Sequence, residues 1–527
     1  MMAKRFQHYL QIDLYYVLNE QHQMCIHEMM DGHGDPGTTD NERRFASTHA
    51  PVCNPENCLN CNMCSFVCPH GVIRPYLLDR EEFMEAPEYI QQRCTDVNFN
   101  GKVYHYIVSA SIGECTGCGL CEKVCPGKAG NKAISLVPMD ELQKSNYVRE
   151  NDYLRKHVTD KEVMNRFTIK GSQFIKPKFR FPGACAGCGE TPYLKLISQL
   201  YGENMIVANA TGCSSIYSAS FPSQAYSTPW ANSLFEDNAE FGMGMYTADQ
   251  TIKEKIKNIL TKKSEHASTE ARKIFENYIK HVTKESSEEL YEFIKDNKDS
   301  YKELYDLKHY IKKKDFFIVG GDGWAYDIGF SGIDHVLASG SNVNIIVLDT
   351  EVYSNTGGQS SKSTQIGGIA KFAADGKKVN KKDLTKIALT YEKAYVATIS
   401  LGANMNQAIK AINEAVEYEG PSLIICYAPC ISHGIIKGMS NSIDEEKLAT
   451  QSGYFPLFRR HPENGFTMDS KADFTKYMDF INGEDRYRSL EKLNPDMYKE
   501  LQKEQKANAE NRFNYFNSLQ TEKKEEK

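Results

Sequence analysis

No stretch of this chain carries about 18 consecutive apolar residues, so no membrane-spanning helix is expected. Positive charge is not in excess either. With 63 Lys and Arg against 69 Asp and Glu, the formal net charge is -6, which removes the electrostatic case for a nucleic-acid partner. The opening residues MMAKRFQHYLQIDLYYVLNE lack the apolar core and small-residue cleavage site of a secretory signal, and they lack the Arg/Ser-rich, acid-poor character of a transit peptide. A cytoplasmic location is the resulting expectation. Internal repeats are also missing, apart from one duplicated cysteine run.

Cysteine, by contrast, is abundant and clustered: sixteen in 527 residues. Secreted disulfide frameworks are small and loop-rich, whereas this chain is long and patterned for helices. Its thiols therefore point to inorganic ligation in a reducing, anaerobic compartment. Residues 1–45 read as a polar segment and linker, turn-rich in DGHGDPGTTDNERR. Residues 46–150 hold both dense cysteine runs and leave little room for a conventional core. Residues 151–180, charged and weakly patterned, read as a connector. Residues 181–485 carry strand-loop-helix units, and 486–527 form a helical tail whose last residues, TEKKEEK, are expected to fray.

Within the large unit, 247–314 is rich in Lys and Glu, with Ile252, Ile256, Ile259, Leu290 and Phe293 at helical spacing. It is expected to be a helical insertion with a solvated charged face. The strand-like runs FFIVGGDG (316–323), NIIVLDT (344–350), AYVATIS (394–400) and SLIICYAPC (422–430) are separated by helix-length segments. That order gives an α/β class with a parallel sheet and ligands at the strand C-terminal ends.

Cys58, Cys61, Cys64 and Cys68 precede Pro69, and Cys115, Cys118, Cys121 and Cys125 precede Pro126; each run is C-x2-C-x2-C-x3-C-P. Three thiolates two residues apart can wrap one cubane, and the fourth is then too far along the chain and serves the other cluster. Cys58, Cys61, Cys64 and Cys125 are thereby assigned to one 4Fe–4S cluster, and Cys115, Cys118, Cys121 and Cys68 to a second. Zinc has no use for eight cysteines in this duplicated order. Such clusters move single electrons, which places the chain in a redox system. An insertion at about 75–112 is expected to shield the clusters or to touch a neighbouring domain.

Further on lie GACAGCGET (183–191) with Cys185 and Cys188, ATGCSS (210–215) with Cys213, and YAPCISHG (427–434) with Cys430. Spacing alone leaves a zinc site, buried free thiols and a cluster open. GGDGWAYDIG (320–329) puts Asp322 at a strand end beside amides able to meet a phosphate, and DTEVYSNTGGQSSKST (349–364) follows after another strand. One oxygen ligand from each strand end, with glycines for close approach, suits a diphosphate–Mg2+ site.

The series CPHGVIRP, CAGCGE, ATGCSSIY, PWANSLFEDNAEFG, GDGWAYDIG, TEVYSNTGGQ and YAPCISHG runs in this order between about Met30 and about residue 500. It resembles the C-terminal half of the pyruvate:ferredoxin (flavodoxin) oxidoreductases; residues 1–23 show no match. The resemblance implies a two-cluster ferredoxin-like domain followed by a parallel-sheet thiamine-diphosphate-binding domain with the helical insertion. It makes Cys185, Cys188, Cys213 and Cys430 the ligands of a third 4Fe–4S cluster, the one nearest thiamine diphosphate. Asp322, Thr350 and the backbone carbonyl of Val352 match the Mg2+ ligands. Glu190 matches a cofactor contact, and Asn355 a residue beside the substrate. Gly321, Gly323, Gly357 and Gly358 match positions where the backbone approaches the diphosphate. Asn355 also reads as a turn former and Glu190 as a helix-start carboxylate. His433 is read as structural. Cys25, Cys53, Cys94 and Cys426 match no ligand position, and Cys53 stands where the family more often has an aromatic.

The function so implied is oxidative decarboxylation of pyruvate with coenzyme A, electrons leaving singly through three clusters to ferredoxin or flavodoxin, in a homodimer of the assembled enzyme. The family's N-terminal half supplies an activating glutamate and a substrate-binding arginine, and it has no counterpart here. A separate N-terminal half or partner subunit is therefore expected. Three alternatives stand beside this reading. The first, an electron-transfer module with a vestigial thiamine site, is opposed by the intact Asp322, Thr350 and SNTGGQ loop. The second is a different 2-oxoacid, such as 2-oxoglutarate or an aryl pyruvate, against which the fused ferredoxin run and FEDNAEFG favour pyruvate. The third is operation in reverse as a pyruvate synthase, which carrier potential decides.

Overall fold

The computed structural model describes residues 35–220 and 223–525. The expectations for residues 1–34, Cys25 among them, and for the last two residues lie outside this range. Among the described residues, no helix is long and apolar enough to cross a membrane.

The first part of the chain contributes β1 (His49–Cys53), β2 (Ile73–Leu78), β3 (Thr95–Phe99), β4 (Lys102–Ala110) and β5 (Ile134–Pro138). β1 pairs antiparallel with β5 and so ties together the segments that flank the two cysteine runs. The other three form an antiparallel sheet in the order β2-β4-β3. Residues 46–150 are better packed than their cysteine content suggests. Val72, Ile73, Val108, Ile112 and Ile134 bury against the thiols as one core. The segment at 75–112 supplies much of it, and β4 delivers Tyr106, whose hydroxyl donates to Asn62 Oδ1 at 2.8 Å inside the first cysteine run.

Residues 151–180 differ from a loose connector. The helix Tyr147–His157 crosses the expected boundary and buries Leu154, and Ser172, Gln173, Phe174 and Phe179 are buried farther on. Their polar groups find distant partners: Ser65 Oγ donates to Gln173 Oε1 at 2.8 Å, and Gln173 Nε2 donates to Gln199 Oε1 at 3.1 Å. A local charge count cannot register partners so far away in the sequence.

The second part contributes β6 (Met205–Ala210), a short hairpin of β7 (Ala219–Ser220) and β8 (Ser223–Gln224), β9 (Trp230–Ser233), β10 (Asp315–Gly321), β11 (Asn344–Asp349), β12 (Tyr395–Ile399), β13 (Ser422–Tyr427), β14 (Phe458–His461) and β15 (Gly465–Met468). Apart from the hairpin these form one sheet in the order β15-β14-β12-β13-β11-β10-β6-β9. All neighbours from β12 to β9 are parallel, and β14 and β15 extend one edge antiparallel. The central strands read as unbroken apolar runs because both faces are covered. Phe317, Val319, Ile346 and Leu348 face a layer containing the helices Thr191–Tyr201 and Met405–Glu417. Phe316, Ile318, Ile345 and Val347 face the opposite layer, with Ile333 and Val336 of the helix Phe330–Ser339.

The helix Asn238–Ser264 starts before the expected insertion, because its first turns belong to the sheet. Asn238 Nδ2 donates to the Val319 carbonyl at 3.1 Å, and a Cβ on Gly242 would fall 2.5 Å from Ile318. Its far half joins the helices Thr269–Lys280 and Lys284–Asp296 in a core of their own around Ile256, Leu260, Phe275 and Leu290. The helical tail docks on the antiparallel edge, where Phe516 is fully buried with its ring 4.5 Å from that of Phe458.

Candidate functional site

Eight thiols gather around two separate cavities. Cys58, Cys61, Cys64 and Cys125 line one with Tyr106 and Pro126, and Cys68, Cys115, Cys118 and Cys121 line the other with Pro69 and His70. Each set takes three thiols from one run and the fourth from the other. Among the described residues, no three His, Cys, Asp or Glu side chains converge tightly enough for a single metal ion. The thiols instead ring a space, the wider arrangement that a four-iron cluster requires. Burial raises Cys64, with thiolate charge on Cys58, Cys61 and Cys125 adding to it, and burial pushes Cys115 up to about 12 and Cys118 up to about 11. Thiolates persist in such surroundings only against a compensating metal charge, so the donor set fits an iron–sulfur group.

Cys58 departs from this pattern. Cys53, which lines a cavity with it, pulls it down to about 6, against the opposing push of burial. Cys53, unassigned by motif, thus lies where its thiol can donate to the Cys58 sulfur. Hydrogen bonds to sulfur favour the more negative, reduced state of a cluster. Were Cys58 to hold a cluster, Cys53→Ala would be expected to lower its midpoint potential, read by an EPR-monitored redox titration; an unchanged potential would mean Cys53 has no electronic consequence there.

Four further cysteines sit at the C-terminal edge of the large sheet. Cys213 opens the helix Cys213–Ser218 just after β6, Cys430 follows β13, and Cys185 and Cys188 precede the helix Thr191–Tyr201. The Gly189 N–H donates to the Pro429 carbonyl at 3.0 Å, and a Cβ at 189 would fall 2.5 Å from Pro429 N. The CAGCGE and YAPC loops can meet only because residue 189 is glycine. Burial, then Glu190, then thiolate charge on Cys430 and Cys185 push Cys213 up to about 12.

Asp322 and Thr350 leave adjacent parallel strands side by side, since β10 and β11 pair with Gly321 opposite Leu348. Thr350 Oγ1 lies 3.0 Å from Asp322 Oδ1 and 3.1 Å from the Val352 carbonyl oxygen. Ser361 Oγ donates to Asp322 Oδ2 at 2.6 Å. Burial and the charge of Asp349 hold Asp322 well above the usual carboxylate range. A buried carboxylate converging with a hydroxyl and a carbonyl is the donor set of a hard cation, so these residues fit Mg2+.

The glycines separate by role. Gly357 (φ 110°) and Gly358 (φ 89°) turn the SNTGGQ loop in the left-handed region, and a Cβ on Gly358 would meet nothing within 4 Å. Gly321 is nearly as open, whereas a Cβ on Gly323 would strike the Tyr353 ring at 2.4 Å, so packing suffices to explain glycine at 323. Asn355 is exposed on the loop. Glu190 precedes the helix Thr191–Tyr201 without capping it. Its Oε2 is buried without a close hydrogen bond among the described residues, and burial raises it to about 7 against the pull of the Tyr217 hydroxyl. An orphaned carboxyl of this kind fits a polar contact to a bound cofactor better than a helix-start role.

Ser354 was not singled out by motif, yet its Oγ lies 3.3 Å from Thr350 Oγ1 and 3.4 Å from Cys213 Sγ, bridging the two groups of ligands. Behind it lies a buried ionic network. Glu351 adopts a φ of 58°, a region that a non-glycine residue enters at some cost. Its carboxylate meets Lys381 Nζ at 2.8 Å and Arg486 Nη2 at 2.9 Å, and accepts from the Tyr454 hydroxyl. Arg486 Nε also reaches Glu484 at 2.6 Å. His433 Nε2 donates to the Thr350 carbonyl at 2.7 Å, and its Nδ1 accepts from the Cys430 N–H at 3.4 Å. Its structural role therefore links the cation-ligand loop to the Cys430 loop. Arg486→Met would strand Glu351 and Glu484 with one fewer cation, and it is expected to destabilise the fold by about 3–5 kcal/mol. A lowered thermal midpoint checks this; an unchanged one would mean Lys381 and the Tyr454 hydroxyl suffice for Glu351.

Residues 57–130 match a 4Fe-4S dicluster domain, and residues 307–426 match the C-terminal TPP binding domain of thiamine pyrophosphate enzymes. The pyruvate:ferredoxin oxidoreductase of Moorella thermoacetica is 44% identical over 520 residues, covering 93% of this chain and 44% of that protein. The pyruvate-flavodoxin oxidoreductase of Klebsiella pneumoniae is 43% identical, with 93% and 43% covered. The pyruvate dehydrogenase (NADP(+)) of Cryptosporidium parvum is 39% identical, with 90% and 28% covered. The chain spans less than half the length of each of these relatives.

Proposed function

We propose that this chain, which belongs to the pyruvate:ferredoxin/flavodoxin oxidoreductase family, forms the electron-exporting half of an enzyme that converts pyruvate and coenzyme A to acetyl-CoA and CO2. The observation that carries this reading is the junction at the sheet edge. There Thr350, itself joined to Asp322 and to the Val352 carbonyl, and Cys213 both stand within hydrogen-bond range of the same serine, Ser354.

Cys58, Cys61, Cys64 and Cys125 hold one 4Fe–4S cluster, and Cys68, Cys115, Cys118 and Cys121 a second. Cys185, Cys188, Cys213 and Cys430 hold a third. Asp322, Thr350 and the Val352 carbonyl bind Mg2+, which neutralises the diphosphate of thiamine diphosphate. Gly321, Gly357 and Gly358 leave the backbone open to that diphosphate, with Gly323 beside them. Glu190 contacts the cofactor, and Asn355, exposed at the loop tip, meets the substrate. Thiamine diphosphate, when bound, supplies the electron sink that lets a 2-oxoacid lose CO2. With a pKa near 7, the Glu190 carboxyl can hold or release a proton at Oε2 near neutral pH.

Three cysteine sets in one chain suit single-electron export to ferredoxin or flavodoxin. The short span relative to the family supports completion of the active site by an N-terminal half or partner subunit, in a homodimeric, cytoplasmic assembly. Anaerobic purification, iron and sulfide counting, and pyruvate- and coenzyme A-dependent viologen reduction test the proposal with and without that half. About twelve irons, four for each cluster, are expected, with activity only when the partner is present. Eight irons and no activity under either condition would leave a two-cluster relay and refute it.

A further inference from the structure

Lys195 is only 1% exposed, in the helix that follows the CAGCGE loop. Its ammonium donates to three backbone carbonyls of the first cysteine run: Ser65, Phe66 at 2.9 Å and Cys68 at 3.1 Å. Three N–H donors meet three acceptors, so its hydrogen-bonding capacity is complete. Its charge is not compensated in the same way. Burial lowers its pKa to about 8, which leaves it charged at neutral pH, and the groups that act against burial are the sulfurs of Cys68 and Cys64, with no carboxylate among them. Burying an ammonium against neutral dipoles alone costs several kcal/mol. A neutral amide could have capped two of these carbonyls without that cost.

The position of this cation is specific. Cys64 lines one ferredoxin-type cavity and Cys68 lines the other, so one fixed positive charge stands at the segment shared by both. It is carried on a helix that begins three residues after Cys188 of the third set. Adding an electron to a 4Fe–4S cluster adds negative charge inside a poorly polarisable surrounding, where a nearby cation acts strongly. We propose that Lys195 is a potential-setting residue: its buried positive charge stabilises the reduced form of both ferredoxin-type clusters. This rests on the cluster assignment above. The consequence is directional, because raising those two potentials together favours electron flow away from the third cluster.

The test uses the full chain purified anaerobically, with Lys195→Gln, Lys195→Met and Lys195→Arg beside the wild type. Iron content is measured first, followed by EPR-monitored redox titration of each cluster. Gln keeps a donor to the carbonyls without the charge, Met keeps the length, and Arg keeps the charge. In both neutral variants the reduced-to-oxidised ratio of the two ferredoxin-type clusters, at fixed ambient potential, is expected to fall about tenfold, or about 59 mV for a one-electron couple. Arg should hold the wild-type values, and the third cluster should shift least. Potentials unchanged in an iron-replete neutral variant would overturn the proposal. Loss of iron from both neutral variants, with Arg loading normally, would overturn it in favour of a purely structural bond. A wild type lacking two ferredoxin-type signals would instead fail the cluster assignment itself.

Discussion

Replacing Asp322 by alanine is expected to abolish Mg2+-dependent binding of thiamine diphosphate while leaving the iron content unchanged. Asp322 is 1% exposed and is the one carboxylate in the oxygen set. Removing one partner of a buried charged contact costs about 3–5 kcal/mol, which corresponds to a loss of affinity of roughly a hundredfold to several thousandfold. Asp322→Asn separates charge from shape, because the amide can keep hydrogen bonds with Thr350 and Ser361. It should bind almost as poorly as alanine. Trp324 is buried two residues away, so quenching of its fluorescence on titration with cofactor and Mg2+ offers a direct readout. Unchanged affinity would place the diphosphate on a different loop.

The same substitution carries a sign that can be checked without cofactor. Burial and the neighbouring Asp349 raise the Asp322 pKa, so the folded protein holds its proton more tightly than the unfolded chain does. Such a group supports stability below the ordinary carboxylate range and withdraws it as pH rises through the folded value. At neutral pH, cofactor-free Asp322→Asn should therefore melt no lower than the wild type. A lower midpoint would mean the carboxylate is compensated, with Lys381 as the nearest source.

Cys213→Ala is expected to remove the third cluster and stop pyruvate-dependent viologen reduction, while both ferredoxin-type clusters remain. Cys426 is fully buried within β13 and so offers no ready substitute thiol. Iron should fall by about four per chain, one cluster's worth, and one EPR signal should vanish. Retention of three signals would remove Cys213 from the ligand set. Ser354→Ala offers a graded companion. It takes away a contact at 3.4 Å from the Cys213 sulfur but no ligand, so the cluster should persist with an altered potential.

The two parts of the site were not equally legible. Triplets such as Cys58-x2-Cys61-x2-Cys64 are local, and a tight loop around a cubane demands that spacing whatever the rest of the chain does. The third set gave no such signal. Cys185, Cys188, Cys213 and Cys430 hang on three separate loops, and on spacing alone a zinc site or free thiols read equally well. The sheet order brings Cys213 and Cys430 together, since β6, β10, β11 and β13 are neighbours and send their following loops to the same edge. Gly189 was visible as a letter but not as a requirement until Pro429 stood against it. The charged stretch at 151–180 misled for a related reason, since composition reports solvation and not a buried partner such as Ser65 for Gln173.

By itself, the sequence determined the chemistry: iron–sulfur ligation, a diphosphate–cation motif, and an α/β sheet to carry it. Ligand type, short spacing and strand-length apolar runs are properties of a few consecutive residues, and they survive without knowledge of the rest. Only the tertiary structure decided which residues surround that chemistry. It put Ser354 between Cys213 and Thr350, set Glu351 in a cage of Lys381 and Arg486, and ran Lys195 into carbonyls as many as 130 positions away. The physical reason is burial. A lysine, a glutamate or a serine has no fixed role while water solvates it, and each acquires one when folding replaces that water with a few specific, distant partners.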